Sequence, residues 1–410
     1  MRINLFSLIE GISKTVDLVN PKLFSHHRDV ALISYYLAEE LNVSNVDKRR
    51  IIMSAMLHDI GAFNLKTRLK TLKFEERDVL EHAKKGSNLL GSCSLFASLK
   101  DIVLHHHTDW EKRTVIDNKK DFWLSNIINV ADRFSVLVDK EKIGINRKFV
   151  INTIKENSPF RFAKEICEAL EIITEKDIFW YQLRDRNYNF GQKEILDCIT
   201  VAEKNDITAL SELVSSITDF RSRFTATHSA TIARVATFIA EKMNGKDDSA
   251  IEIVKLSGYF HDIGKLAIPN ELIEKKGALL PEEFFIVKSH IYHTYNLLKD
   301  IKGLEEVTDI ASRHHERLDG SGYPFRLSEK ELTVNERIMA VCDVFVALKE
   351  NRPYRKGMCN EEIKKIMNNL VKFNKLDGDI VGFLNKNLDS LNDIFIQQSK
   401  KCLQMYKTTV

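Results

Sequence analysis

The tetrapeptide His-Asp-Ile-Gly occurs twice in this chain, at His58–Gly61 and His261–Gly264, each time inside a window rich in histidine. Seven of the 13 histidines lie between His26 and His107, and the other six between His228 and His315. None falls between Thr108 and Thr227 or after His315. Surface placement would scatter them. Two comparable windows mean that the chain folds as two copies of one unit, each built around the same ligand array.

The copies align by simple offsets. Asp17 precedes His26 by nine residues, and Asp219 precedes His228 by nine. Leu37-Ala38 matches Ile239-Ala240, and His82 matches His290. The run His105-His106-His107 matches His314-His315, with the matching pair left open. Val130-Ala131-Asp132-Arg133-Phe134 matches Val341-Cys342-Asp343-Val344-Phe345. The offset grows from 202 (His26 to His228) to 211 (Asp132 to Asp343), so the second copy has longer loops.

A chain of 410 residues is natural for two domains of about 200 residues each. The expected division is 1–190, a linker helix at 191–204, and 205–410. Arg184–Gly191 is polar and contains a glycine, which suits the linker. With six prolines and long amphipathic stretches such as Val30–Leu41, Ile232–Met243 and Glu361–Phe373, the fold class is all-α, two helical domains in tandem. Strands should be confined to short hairpins near loops.

Composition excludes several functions. A net charge of +3 is too small for a nucleic-acid polymer surface. It suits a small anion held by a few local cations. The six cysteines form no CxxC pair, which argues against a zinc ribbon and for reduced thiols in the cytoplasm. MRINLFSLIEGISK has too short an apolar stretch for a signal-peptide core, and no uncharged run could span a bilayer, so no membrane partner is expected.

An adjacent His-Asp pair offers a ring nitrogen and a carboxylate from one turn. Both oxygens of Asp262 can ligate, so Asp262 can bridge two ions beside His261, and later histidines can complete the centre. Two-metal sites cleave phosphate esters by lowering the pKa of a bound water and supplying hydroxide at pH 7. Imidazole and carboxylate together suit iron or manganese better than zinc. Lys265, one short turn after the pair, can reach the phosphoryl oxygens, and Arg352 and Arg355 can add guanidinium forks. Gly320 and Gly322 permit a tight loop that brings Tyr323 to the ligand, stiffened by Pro324. Bland readings stand beside these. His293 matches no ligand position and reads as a core residue. His228 either joins the centre or orients a ligand from behind. DGSGYP alone is a turn, and lone arginines are solvated.

The second half resembles the HD-GYP family of cyclic-dinucleotide phosphodiesterases. The resemblance runs from about Asp219 to Met358, through HS at 228–229, HDIGKLAIP at 261–269, His290, HHERLDGSGYP at 314–324, RIMAVCD at 337–343 and RPYRK at 352–356. It implies metal ligation by His261, Asp262, His290, His314, His315 and Asp343, with Asp262 bridging. Asp219 stands where trinuclear members carry a Glu, which favours two ions over three.

The first copy resembles a divergent HD domain. Candidate ligands remain at His58, Asp59, His82, His106, His107 and Asp132. Ala62 stands in place of Lys265, His107-Thr108-Asp109-Trp110 replaces the GYP loop, and no RPYRK follows Asp132. Three readings stay open: hydrolysis of a smaller phosphate ester, metal or nucleotide binding for regulation, and a scaffold.

The expected activity is hydrolysis of a 3′,5′-cyclic dinucleotide, cyclic di-GMP or 3′,3′-cyclic GMP-AMP, to a linear dinucleotide by metal-bound hydroxide, with Asp262 and Lys265 catalytic and Lys265, Tyr323, Arg352 and Arg355 on the substrate. The expected cofactors are two divalent ions, and a second copy of the chain is a candidate partner. The rivals are a dinucleotide-sensing module and another nucleotide phosphohydrolase in the first half.

Overall fold

The computed structural model describes residues 2–20, 23, 25–63, 65–74, 80–140, 143–185, 200–201, 203–243, 245, 247–352 and 355–409. The chain divides into two compact units, Asn4–Val201 and Ala202–Val410 with Met1–Ile3. Both are helical. Most of the linker segment 191–204 lies outside the described residues. Within it, Thr200–Val201 is a strand paired with Ile3–Asn4, and Lys204 begins the Lys204–Asp219 helix. The remaining β-structure among the described residues is two isolated bridges, Asp319 with Ser328 and Arg352 with Arg355.

Each unit has a central helix that starts on its first histidine of the repeat, His26 or His228. In the first, His26–Glu40 buries Val30, Ile33 and Leu37, a three- and four-residue stripe. It packs on Asn45–Leu57 and Lys119–Leu137. Ser44 starts Asn45–Leu57 by accepting the Asp47 N–H at 3.2 Å.

In the second, His228–Met243 buries Ile232, Val235 and Ile239 against Asp248–Phe260 and Val334–Lys349. Asp247 caps Asp248–Phe260 through the N–H groups of Ser249 and Ala250, both at 3.1 Å. The core continues through Ile338, Met339, Phe345, Met367 and Ile380. Truncating a residue as buried as Phe345 to Ala costs about 3–5 kcal/mol. The stretches expected to be amphipathic fall on helices, with Leu41 and Phe373 at the ends of two of them as C-cap residues. His293, expected in the core, is instead half-buried on the rim of the His290–Leu298 helix, edge-on to Tyr292, because it falls off that helix's buried stripe of Ile291, Thr294 and Leu298.

Candidate metal centres

His261 caps the C-terminus of Asp248–Phe260, and Asp262 leads into the tight turn Ile263–Ala267. Gly264 has no room for a side chain. A Cβ there would overlap the His290 carbonyl oxygen and sit 2.5 Å from the Thr294 nitrogen. The Thr294 hydroxyl closes the junction, accepting the Gly264 N–H at 3.0 Å and donating to the His261 carbonyl at 3.1 Å. The His-Asp turn and the His290 helix therefore lock as one piece. The first half repeats the contact, with Gly61 against the His82 carbonyl.

Backbone carbonyls set the ring tautomers. Nδ1 of His261, His290 and His314 pairs with the carbonyl three residues earlier: Gly258 at 2.9 Å, Val287 at 2.6 Å and Ala311 at 2.7 Å. A carbonyl only accepts, so Nδ1 carries the hydrogen and Nε2 keeps a lone pair. Nε2 of all three rings is buried and has no hydrogen-bond partner. Two of them flank one carboxylate: His261 Nε2 is 3.1 Å from Asp262 Oδ2, and His290 Nε2 is 3.4 Å from Asp262 Oδ1. The His314 ring lies 4.7 Å from that of His261. Asp343 spans the other side, with Oδ2 3.5 Å from His315 Nδ1 and Oδ1 3.5 Å from His228 Nε2. Two ligand groups result, His228–His261–Asp262 and His290–His314–His315.

The charges match this arrangement. Burial pushes His290 down to about 4 and His315 down to about 3, and holds His314 well below the usual imidazole range. Burial acts to raise Asp262 and Asp343, yet the adjoining histidines, and Lys265 at Asp262, keep both ionised. Buried polar atoms without partners are rare. Here three rings aim theirs into one buried centre that holds ionised carboxylates, a donor set that fits divalent cations.

His228 touches both carboxylates, lying 3.5 Å from Asp262 Oδ2, and its Nδ1 is held by Glu350 at 2.9 Å. Burial opposes its charge, but Glu350 and Asp343 outweigh burial and push it up to about 10. Sequence reasoning missed Glu350. It also receives the Thr227 hydroxyl at 3.1 Å and pairs with Arg352 at 2.9 Å. The available signal was a carboxylate two residues before Arg352. Asp219 belongs to neither ligand group; it accepts the N–H and hydroxyl of Ser229 at 2.8 and 3.1 Å. Asp17 does the same for the N–H of His27 in the first half.

The expected substrate residues divide. The Lys265 ammonium pairs with Asp262. The Tyr323 ring lies 4.8 Å from that of His315. Arg355 faces away, donating to the carbonyls of Ala347 at 2.5 Å and Leu348 at 3.0 Å, the last turn of Val334–Lys349. Pro353 and Tyr354 of the same motif lie outside the described residues. A second overlooked carboxylate, Glu316, folds the loop bearing Tyr323. It accepts the N–H groups of Phe325, Arg326 and Leu327 at 2.8, 3.2 and 3.0 Å. Gly322 packs against its backbone, where a Cβ would sit 2.5 Å from the Arg317 nitrogen.

The first half assembles Asp59, His82, His106 and His107, and alongside them His26, His58 and Asp59. His105 is outside both groups and packs on Phe122, which resolves the open pairing in favour of His106-His107. His58 and His106 use the same tautomer device, on Ala55 and Val103 at 2.7 and 2.6 Å. Here the surroundings differ. Arg133 is fully buried and grips Asp132 Oδ2 with Nε at 3.1 Å and Nη2 at 2.5 Å. Thr71 donates to Asp59 Oδ2 at 2.8 Å. None of these histidines and aspartates is more than 8% exposed, whereas the side chains of His315 and Lys265 are 20% and 21% exposed.

Two family models, each described as an HD domain, match residues 23–137 and 212–380. Over 411 residues, 97% of this chain and 95% of the relative, the sequence is 26% identical to 3′3′-cGAMP-specific phosphodiesterase 1 of Vibrio cholerae. A cyclic di-GMP phosphodiesterase of Pseudomonas aeruginosa is 33% identical over 40% of this chain and 39% of its own length. One from Thermotoga maritima is 35% identical over 37% of this chain and 41% of its own length. In fold, the chain is similar to a crystal structure of a cyclic GMP-AMP specific phosphodiesterase from V. cholerae, with a TM-score of 0.62 and 17% identity, over 94% of this chain and 97% of the other.

Proposed function

Since the chain belongs to the HD-domain family, with two such domains in tandem and the second of the HD-GYP kind, we propose that it is a metal-dependent phosphodiesterase opening cyclic dinucleotides at its second centre. The observation that carries this reading is the set of three buried, partnerless Nε2 atoms, two of them flanking ionised Asp262. Two divalent ions, iron or manganese, would be held by His261, Asp262, His290, His314, His315 and Asp343, with His228 joining them once it gives up its Nε2 proton. Bound there, they supply an acidified water and positive charge for the phosphoryl oxygens.

The chain's own groups do the rest. Carbonyls fix each ring so that its free nitrogen faces the centre. Asp262 presents one oxygen to each side. Lys265, already at Asp262, lies at the mouth and meets the phosphodiester. Arg352, steered by Glu350, adds a second cation. Arg355 braces the helix that carries Asp343. For the first half we favour metal binding without turnover, because its ligands are enclosed and Arg133 occupies one oxygen of Asp132. No helix among the described residues is long and apolar enough to cross a membrane. Among the described residues, Cys93, Cys167, Cys342, Cys359 and Cys402 form no disulfide, which suits a reducing compartment.

The test is incubation of metal-loaded protein with cyclic di-GMP and with 3′,3′-cyclic GMP-AMP, followed by chromatography. Linear dinucleotide should form, stop on chelation and return with manganese or iron. No linear product from either substrate would refute the reading.

A further inference from the structure

Beside the second centre lies a cavity of about 890 Å³, lined among others by Phe284, Phe285, Lys288, Tyr292, Tyr323 and Arg326. It adjoins the centre through two residues. Ser289, next to the ligand His290, is in its wall, and Tyr323 lies on His315. Phe285 and Tyr292 are 73% and 61% exposed. Such large rings facing open space offer stacking planes for a flat ligand. The Lys288 ammonium is poised between two rings, 4.9 Å from the centroid of Phe284 and 5.5 Å from that of Tyr323. Neither the Lys288 ammonium nor the Arg326 guanidinium has a carboxylate partner among the described residues, and the described lining contains no carboxylate.

The cavity therefore offers aromatic faces and hydrogen-bond donors, with no acidic acceptor. A purine fits the faces. Guanine presents two acceptors, O6 and N7, along one edge, whereas adenine pairs its N7 acceptor with an N6 donor. Lysine and arginine match the first edge and leave the second with an unpaired donor. We propose that this cavity is the base subsite of the substrate, selecting guanine, with Lys288 its specificity-determining residue and Phe285 its stacking platform. The assignment rests on the diesterase reading above. It means that cyclic di-GMP and cyclic GMP-AMP each have a base that fits, and cyclic di-AMP has none.

Two measurements separate this inference from the reading beneath it. Cleavage of bis(p-nitrophenyl) phosphate, a diester without a base, reports the metal chemistry alone. Calorimetric binding of guanosine 5′-monophosphate and adenosine 5′-monophosphate to the full chain reports the cavity without turnover. The wild type should prefer the guanine nucleotide by about tenfold, the scale of one well-made base contact. Lys288→Met should abolish that preference, and Phe285→Ala should weaken both nucleotides by about tenfold. Both variants should cleave bis(p-nitrophenyl) phosphate like the wild type. Equal binding of the two nucleotides, or a preference that survives Lys288→Met, overturns the subsite. Absence of diester cleavage in the wild type, with the binding preference intact, overturns the diesterase reading and leaves a guanine-binding cavity.

Discussion

Glu350 holds His228 by its Nδ1 at 2.9 Å, so a carboxylate at the end of one helix orients the first residue of another. The same carboxylate receives Thr227 and Arg352. Glu350→Gln keeps the shape and removes the charge. Metal affinity or turnover should fall about 10- to 100-fold, the range for partners standing behind metal-binding histidines. Metal titration and steady-state kinetics read it, with circular dichroism unchanged. Wild-type values in both would show Glu350 to be packing only.

Asp262→Asn should strip bound metal and abolish dinucleotide cleavage, since Asp262 has a histidine nitrogen at each oxygen, His261 at 3.1 Å and His290 at 3.4 Å. Asp59→Asn should leave dinucleotide cleavage near the wild-type rate, because the first centre is enclosed. Elemental analysis and product chromatography on both variants decide. The reverse pattern would place the chemistry in the first half.

Gly264→Ala should destabilise the second unit by about 3 kcal/mol, the upper range for overpacking. The added methyl collides with the His290 carbonyl and must part the two ligand-bearing segments. At about 2–4 °C per kcal/mol, the melting temperature should drop by roughly 6–12 °C. A calorimetric trace identical to the wild type would show that the junction yields freely.

Arg355→Ala should lower the melting temperature while leaving KM unchanged. Its guanidinium donates to backbone carbonyls of Val334–Lys349. Loss of those bonds should cost about 1–3 kcal/mol. A large rise in KM with unchanged stability would restore the substrate contact expected from the motif.

The histidine spacing made the duplicated helical units legible, and the His-Asp pair with its glycine pointed at the centre. Those features are local, or repeat at a constant offset. Glu350 and Thr294 were not legible as site residues because each acts across the fold: Glu350 lies 122 positions from His228, and Thr294 lies 33 from His261. Arg133 was visible in the sequence beside Asp132, but only the fold shows its guanidinium turned back onto that carboxylate. His293 was misplaced because a helix position one residue off the buried stripe looks the same in a list of histidines.

The enclosure of the first centre also sets a timescale. An ion held among His58, Asp59, His82 and His106 would have no solvent-facing ligand among the described residues, so it would depart only when that part of the fold opens. An ion beside His315, whose side chain is one-fifth exposed, exchanges with the medium directly. One chain would thus carry a slow and a fast metal reservoir. The slow one would keep the identity of the ion present when the protein folded, while the fast one follows whatever ion surrounds it later.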